Sequence, residues 1–134
     1  MKFKGLQQKL FIFTTFREGQ DNDLNNITYA TLWKSLQDCG HIPMLVNGCY
    51  KGVKEKSIGV WAYPEFEDIV KDICLTHKQE SYLVVESDID TLFGTITDSK
   101  SGCGLARSFI PVSKEIAEKS EGYSEIDGVY YVLK

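Results

Sequence analysis

The sequence predicts an α+β fold of the split β-α-β, ferredoxin-like kind, extended by extra C-terminal strands. Three observations predict it. Apolar segments follow one another as strand, helix, strand, strand, helix, strand up to Glu86. A glycine-bearing connection of hairpin type joins the second and third strands, which is how two β-α-β units are linked in that pattern. Beyond Asp88 the chain is rich in strand-forming residues.

Each element has a local reason. Lys9-Leu-Phe-Ile-Phe-Thr-Thr-Phe16 is dense in β-branched and aromatic residues and reads as a central strand. A polar loop from Arg17 to Asn26 follows, with Asn26 suited to cap the first helix. Ile27, Ala30, Leu32, Trp33, Leu36 and Cys39 fall near helical spacing, and Gly40 ends the run. Met44 to Tyr50 and Ser57 to Ala62 read as strands joined by Lys51-Gly-Val-Lys-Glu-Lys56. Pro64 opens a second helix that buries Phe66, Ile69, Val70, Ile73 and Cys74 and ends near Thr76 or His77. Ser81 to Glu86 is apolar in its middle, as a central strand is. Thr91 to Thr97 and Ala106 to Val112 form a hairpin around Ser99 to Gly104, Ser113 to Lys119 makes a helical turn, and Gly128 to Leu133 is the last strand. No repeat, linker or low-complexity tract interrupts residues 1–134, so a single domain is expected.

Composition excludes several functions. Hydrophobic residues make up 43% and charged residues 25%, an ordinary globular balance. No stretch approaches the ~20 apolar residues that cross a bilayer. Met1 to Gln8 is polar and basic, and the apolar run behind it is too short for a signal-peptide core, so a cytoplasmic protein is expected. At a net charge of −4 with scattered basic residues, nucleic acid is not an expected partner. Cys39, Cys49, Cys74 and Cys103 lack metal-ligand spacing and read as buried free thiols, with no metal expected. His41 and His77 follow helix ends and read as carbonyl caps rather than catalytic groups.

No general catalytic signature is present. Gly102-Cys-Gly104 lacks the third glycine and following helix of a dinucleotide loop. The segment that draws notice is Asn47-Gly-Cys-Tyr-Lys-Gly-Val-Lys-Glu-Lys-Ser57, where glycines flank Tyr50 and Glu55 heads the next strand. On residue chemistry alone, a hairpin glutamate is a solvated charge.

The segment resembles the phage enzymes that degrade S-adenosylmethionine. They carry a Gly-Cys-Tyr, a loop and a Glu-Lys before a strand, matched here by Gly48-Cys49-Tyr50 and Glu55-Lys56 with a shorter loop. Gln79-Glu80 before Tyr82-Leu-Val-Val85, Ser108-Phe109, Pro111-Val112-Ser113-Lys114 and Gly122-Tyr-Ser-Glu-Ile-Asp127 continue the similarity in order. The resemblance spans Leu10 to Leu133.

The resemblance implies a PII-like version of the ferredoxin-like fold, assembled as a homotrimer with active sites between subunits. It implies a lyase that cleaves S-adenosylmethionine to 5′-methylthioadenosine and homoserine lactone with no metal or separate cofactor. In an infected host cytoplasm this would deplete the methyl donor that restriction systems use. Glu55 and Tyr50 are then the candidate catalytic residues, with Gly48, Cys49, Gln79 and Glu80 at the substrate. Glu55 is suited to the substrate ammonium. Tyr50 is suited to the carboxylate or ribose through its hydroxyl, or to the sulfonium through its ring. Gln79-Glu80 is suited to ribose or adenine. Two other readings stand beside it: a non-catalytic PII-like module that binds a nucleotide in the same intersubunit clefts, and an anti-defence protein that acts by binding a host protein.

Overall fold

The computed structural model describes residues 8–134. Most of the basic segment Met1 to Gln8 therefore lies outside the described residues. The elements are β1 (Lys9–Phe13), α1 (Asn22–Asp38), β2 (Met44–Tyr50), β3 (Val53–Ala62), a 3-10 turn (Pro64–Phe66) running into α2 (Glu67–Thr76), β4 (Ser81–Ser87), β5 (Leu92–Asp98), β6 (Ala106–Val112), α3 (Lys114–Lys119), β7 (Gly122–Ile126) and β8 (Val129–Leu133).

The fold is a closed antiparallel barrel in the order β1-β3-β2-β7-β8-β6-β5-β4. This corrects the expected α+β ferredoxin-like, PII-like sandwich with appended strands. An open sheet of the first four strands would leave β2 and β4 as edges with unpaired backbone groups. Here β7 pairs with β2, β5 pairs with β4, and β6 and β8 complete the ring. The C-terminal strands are therefore half of the barrel wall and not an extension of it. Closure hinges on β7, whose short Gly122-Tyr-Ser-Glu-Ile126 lies between two turns and does not stand out as a strand in the sequence.

Alternation along each strand divides the apolar side chains between two cores. Leu10, Ile12, Val46, Val85, Phe109, Ile126 and Tyr131 meet inside the barrel, with Phe109 and Tyr131 stacked at 4.8 Å. Phe11, Phe13, Ile58, Val60 and Val84 face outward, where Leu36 of α1 and Val70 and Cys74 of α2 cover them. Leu10 to Phe13 is thus apolar at every position because β1 is buried on both faces. Each such side chain contributes about 1.5–3 kcal/mol.

Helix α1 starts earlier than its apolar spacing suggests. Asp21, not Asn26, is the cap, accepting from the backbone N–H of Asp23 at 2.8 Å and of Leu24 at 3.3 Å. The first turn, Asn22 to Asn25, is polar except for Leu24 and so carries little apolar signal. His77 caps α2 through its backbone N–H, which donates to Ile73. The cysteines are free, but only Cys74 is buried; Cys49 is half-buried and Cys39 and Cys103 are exposed, which corrects the expectation of four buried thiols.

The β2–β3 connection is tighter than expected. Lys51 and Gly52 both take positive φ, 50° and 80°, and Tyr50 pairs directly with Val53. Two such residues make the hairpin turn that suits strand twist. Strand β3 consequently begins at Val53, and Glu55 lies within the ladder rather than in a loop.

Candidate active site

The hairpin places Glu55 opposite Gly48, Lys56 opposite Asn47 and Lys54 opposite Cys49. On the other side of β2, strand β7 sets Tyr123 beside Cys49, Ser124 beside Gly48 and Glu125 beside Asn47. Tyr130 of β8 pairs with Glu125. Together with Phe16 from the β1–α1 loop, these strands form an open cleft of ≈ 380 Å³, lined also by Asn47, Gly48, Lys54, Glu55, Lys56, Tyr123, Glu125 and Tyr130. That volume falls within the range of small-molecule sites.

Glu55 is the chemically unusual group of the cleft. Alternation sends it to the face of β3 shared by Ser57 and Trp61, and Lys54 and Lys56 to the other face. None of the ion pairs among the described residues involves Glu55. Burial pushes its carboxyl above the usual carboxylate range, and the nearby Glu18 charge pushes it further. The site thus holds a half-buried carboxylate without a protein cation against it.

The aromatic wall is built from the two strands after α3. Tyr123 and Tyr130 meet edge to face at 5.3 Å. Burial is the main cause that raises the Tyr123 phenol, with Cys49 and Tyr130 adding smaller contributions. Glu125 is held in place by two donors, the Asn47 amide at 3.2 Å and the Gly128 backbone N–H at 3.2 Å. The cleft lining therefore includes two glutamates, one of them held by two donors, and the aromatic side chains of Phe16, Tyr123 and Tyr130, with Lys54 and Lys56 directed to the opposite face of β3 from Glu55.

The sequence-derived residues separate into two groups. Glu55 and Gly48 line the cleft. Cys49 lies one ladder position away, across from Tyr123. Tyr50 sits at the hairpin tip, 55% exposed, with its hydroxyl donating to Glu121 at 3.3 Å and the Lys51 ammonium 5.3 Å from its ring centre. Gln79 and Glu80 lie outside the cleft. The Gln79 amide donates to the Phe16 carbonyl at 2.5 Å and so braces the loop that supplies one wall, while the Glu80 backbone carbonyl accepts from Ser99.

Phe16, Asn47, Lys54, Tyr123, Glu125 and Tyr130 are the lining residues that sequence reasoning missed. Tyr123 and Tyr130 carried a signal, since they lie on either side of the Asp127-Gly128 turn. Using it requires knowing that β7 is a strand. Among the described residues, no three His, Cys, Asp or Glu side chains group as metal ligands would, and no helix is long and apolar enough to cross a membrane.

No curated protein shows significant similarity to the chain. The model of the S-adenosylmethionine lyase family matches residues 11–134, from within β1 to the last residue, and so takes in every strand that builds the cleft. The chain belongs to the S-adenosylmethionine lyase family, and its activity is the cleavage of S-adenosylmethionine.

Proposed function

We propose that this lyase works by letting the substrate attack itself. The methionine carboxylate of S-adenosylmethionine forms a bond to its own γ-carbon as the bond from that carbon to sulfur breaks. The electron pair goes to sulfur, which leaves as the neutral thioether 5′-methylthioadenosine, and the remainder is homoserine lactone. No proton must move and no external nucleophile is consumed, so neither a metal nor a separate cofactor is required. What the protein supplies is a curled substrate, and holding reacting atoms together is worth up to ~7–11 kcal/mol in favourable intramolecular systems.

The observation that carries this reading is the half-buried Glu55 without a cationic partner. A substrate ammonium beside it would relieve the cost of its charge and anchor the amino-acid end. Tyr123, Tyr130 and Phe16 suit the flat adenine ring or the sulfonium. Tyr50 is not among the residues that line the cleft of its own chain and bonds Glu121 instead; in a homotrimer it would serve a neighbour's site. In this reading the setting is the cytoplasm of a phage-infected host, where loss of the methyl donor blunts restriction.

The test is incubation of the purified protein with S-adenosylmethionine in ¹⁸O-labelled water, followed by chromatography and mass spectrometry. Equal amounts of 5′-methylthioadenosine and unlabelled homoserine lactone are expected. Homoserine labelled from the first turnovers, with no lactone before it, would mean hydrolysis and overturn the mechanism.

A further inference from the structure

Strand β1 runs out before its two neighbours do. Its pairing with β3 ends where Phe13 meets Ile58, and its pairing with β4 ends where Ile12 meets Leu83. Carried on in the same registers, the chain would set Phe16 abreast of Glu55 on one side and of Gln79 on the other. Side chains replace the missing ladder bonds on both sides, since backbone carbonyls withdrawn from water need donors. Towards β3, the Thr14 hydroxyl donates to the Lys56 carbonyl at 2.6 Å and accepts from the Phe16 backbone N–H at 3.0 Å. Towards β4, the Gln79 amide donates to the Phe16 carbonyl at 2.5 Å. The Phe16 ring meets the Tyr29 ring edge-on at 5.8 Å, and the Tyr29 hydroxyl is tied to the Ser57 carbonyl at 2.9 Å.

Gln79 can hold Phe16 because its own backbone is fixed. Helix α2 ends in a double cap: the Lys78 N–H donates to the Leu75 carbonyl at 3.3 Å and the Gln79 N–H to the Cys74 carbonyl at 2.8 Å. That cap puts Lys78 at φ 57°, a left-handed conformation that a residue with a side chain seldom takes. The Gln79 Nε2 also donates to the His77 carbonyl at 3.4 Å, so both of its hydrogens are directed to carbonyls. We propose that Gln79 is a positioning residue for the lyase: it stands outside the cleft lining, and through the Phe16 carbonyl it holds the Phe16 ring in the cleft wall. A ring fixed before the substrate arrives need not be ordered on binding, so the effect falls on substrate affinity and not on the chemical step. The inference rests on the proposed reading of the cleft as the substrate site, with Phe16 against the adenine or the sulfonium.

The experiment compares Gln79→Met, which keeps the side-chain length and removes both donors, with Phe16→Leu and with the double variant. Steady-state KM and kcat for S-adenosylmethionine cleavage are measured beside the Phe16 amide in ¹H–¹⁵N NMR spectra of the ligand-free protein. Gln79→Met should shift the Phe16 amide resonance and speed its hydrogen exchange about tenfold. It should raise KM about fivefold with kcat within about twofold of wild type. Phe16→Leu should raise KM roughly tenfold, and the double variant should be no worse than Phe16→Leu alone. Gln79→Asn, one methylene shorter, should behave as Gln79→Met does and decides the matter if Gln79→Met does not fold. Additive losses in the double variant overturn the inference, as does a fall in Tm with KM unchanged or a Phe16 amide unmoved in the folded Gln79 variants. A wild-type KM in Phe16→Leu would instead remove the cleft reading, and this inference with it.

Discussion

Glu55 stands directly across from Gly48 in the β2–β3 ladder, so the cleft carboxylate faces a cross-strand neighbour with no side chain. Every larger residue at that position would share the face on which Glu55 lies. The pairing explains how a carboxylate in a regular strand keeps open space beside it. It also shows why a Gly-Cys-Tyr and a Glu-Lys belong together: the two-residue turn folds one onto the other.

On the proposed reading Gly48 acts sterically at the ligand and little on the backbone. A Cβ there would lie 3.7 Å from the Glu55 carbonyl and 3.7 Å from the Ser57 hydroxyl, ordinary contact distances. Gly48→Ala should fold with Tm nearly unchanged, and Gly48→Val should fold but raise KM by tenfold or more. Thermal melts beside steady-state kinetics check both. A fall in Tm without any change in KM would show that Gly48 serves the fold alone.

Gly94 is the opposite case. Its Cβ would come within 2.6 Å of a Leu133 methyl, 3.2 Å of Leu83 and 3.3 Å of Phe109, all inside the barrel. Overpacking of this kind costs about 1–3 kcal/mol. Gly94→Ala should lower the denaturation midpoint correspondingly while leaving KM unchanged in the protein that remains folded. Urea unfolding read by tryptophan fluorescence measures it.

Glu55 also sets a pH dependence whose sign is opposite for stability and for activity. Its folded-state pKa lies above the ordinary value, so the native protein binds this proton more tightly than the unfolded chain. Its stabilising contribution is present below the unfolded pKa and is lost as pH rises through the folded one. Substrate capture by the carboxylate runs the other way, falling as pH drops through that same folded pKa. Glu55→Gln should therefore melt no lower than wild type at pH 7, and its Tm should lose the component that declines across that window. A Glu55→Gln protein that melts well below wild type at pH 7 would mean the carboxylate is a structural anchor.

Assembly is tested through Tyr50, which is exposed and bonded to Glu121 on its own chain. If sites form between subunits, mixing inactive Tyr50→Phe with inactive Glu55→Gln subunits should regenerate some sites with both groups intact. Activity recovered on mixing, together with a trimer mass by light scattering, is the expected outcome. A monomer across micromolar concentrations would remove the intersubunit arrangement.

Most elements were legible in the sequence because their reasons are local. Met44 to Tyr50 and Ala106 to Val112 are strands over the predicted residues, and Pro64 does open a helical segment. Barrel closure was not legible, since whether β2 has a free edge depends on β7, more than seventy residues away in the chain. Tyr123 and Glu125 sit between Gly122 and Asp127-Gly128, so turn signals mask a strand of five residues. Glu55 was found through its resemblance to a family segment, yet its environment was misread. Lys51 to Lys56 read as a short hairpin connection that included Glu55, while the structure spends only Lys51 and Gly52 on the turn. The aromatic wall was missed for the same reason as closure: it comes from β7 and β8.

The central claim is that the Glu55 charge captures the substrate, and the rate of S-adenosylmethionine cleavage by purified Glu55→Gln tests it most directly. The substitution keeps size and hydrogen-bonding reach but removes the charge, and charge-assisted interactions strengthen where water is excluded. Losing about 3 kcal/mol corresponds to roughly a hundredfold in rate. The account predicts a folded protein, with the assembly state of wild type, that forms 5′-methylthioadenosine at least a hundredfold more slowly at pH 7. Turnover within a few-fold of wild type would contradict it.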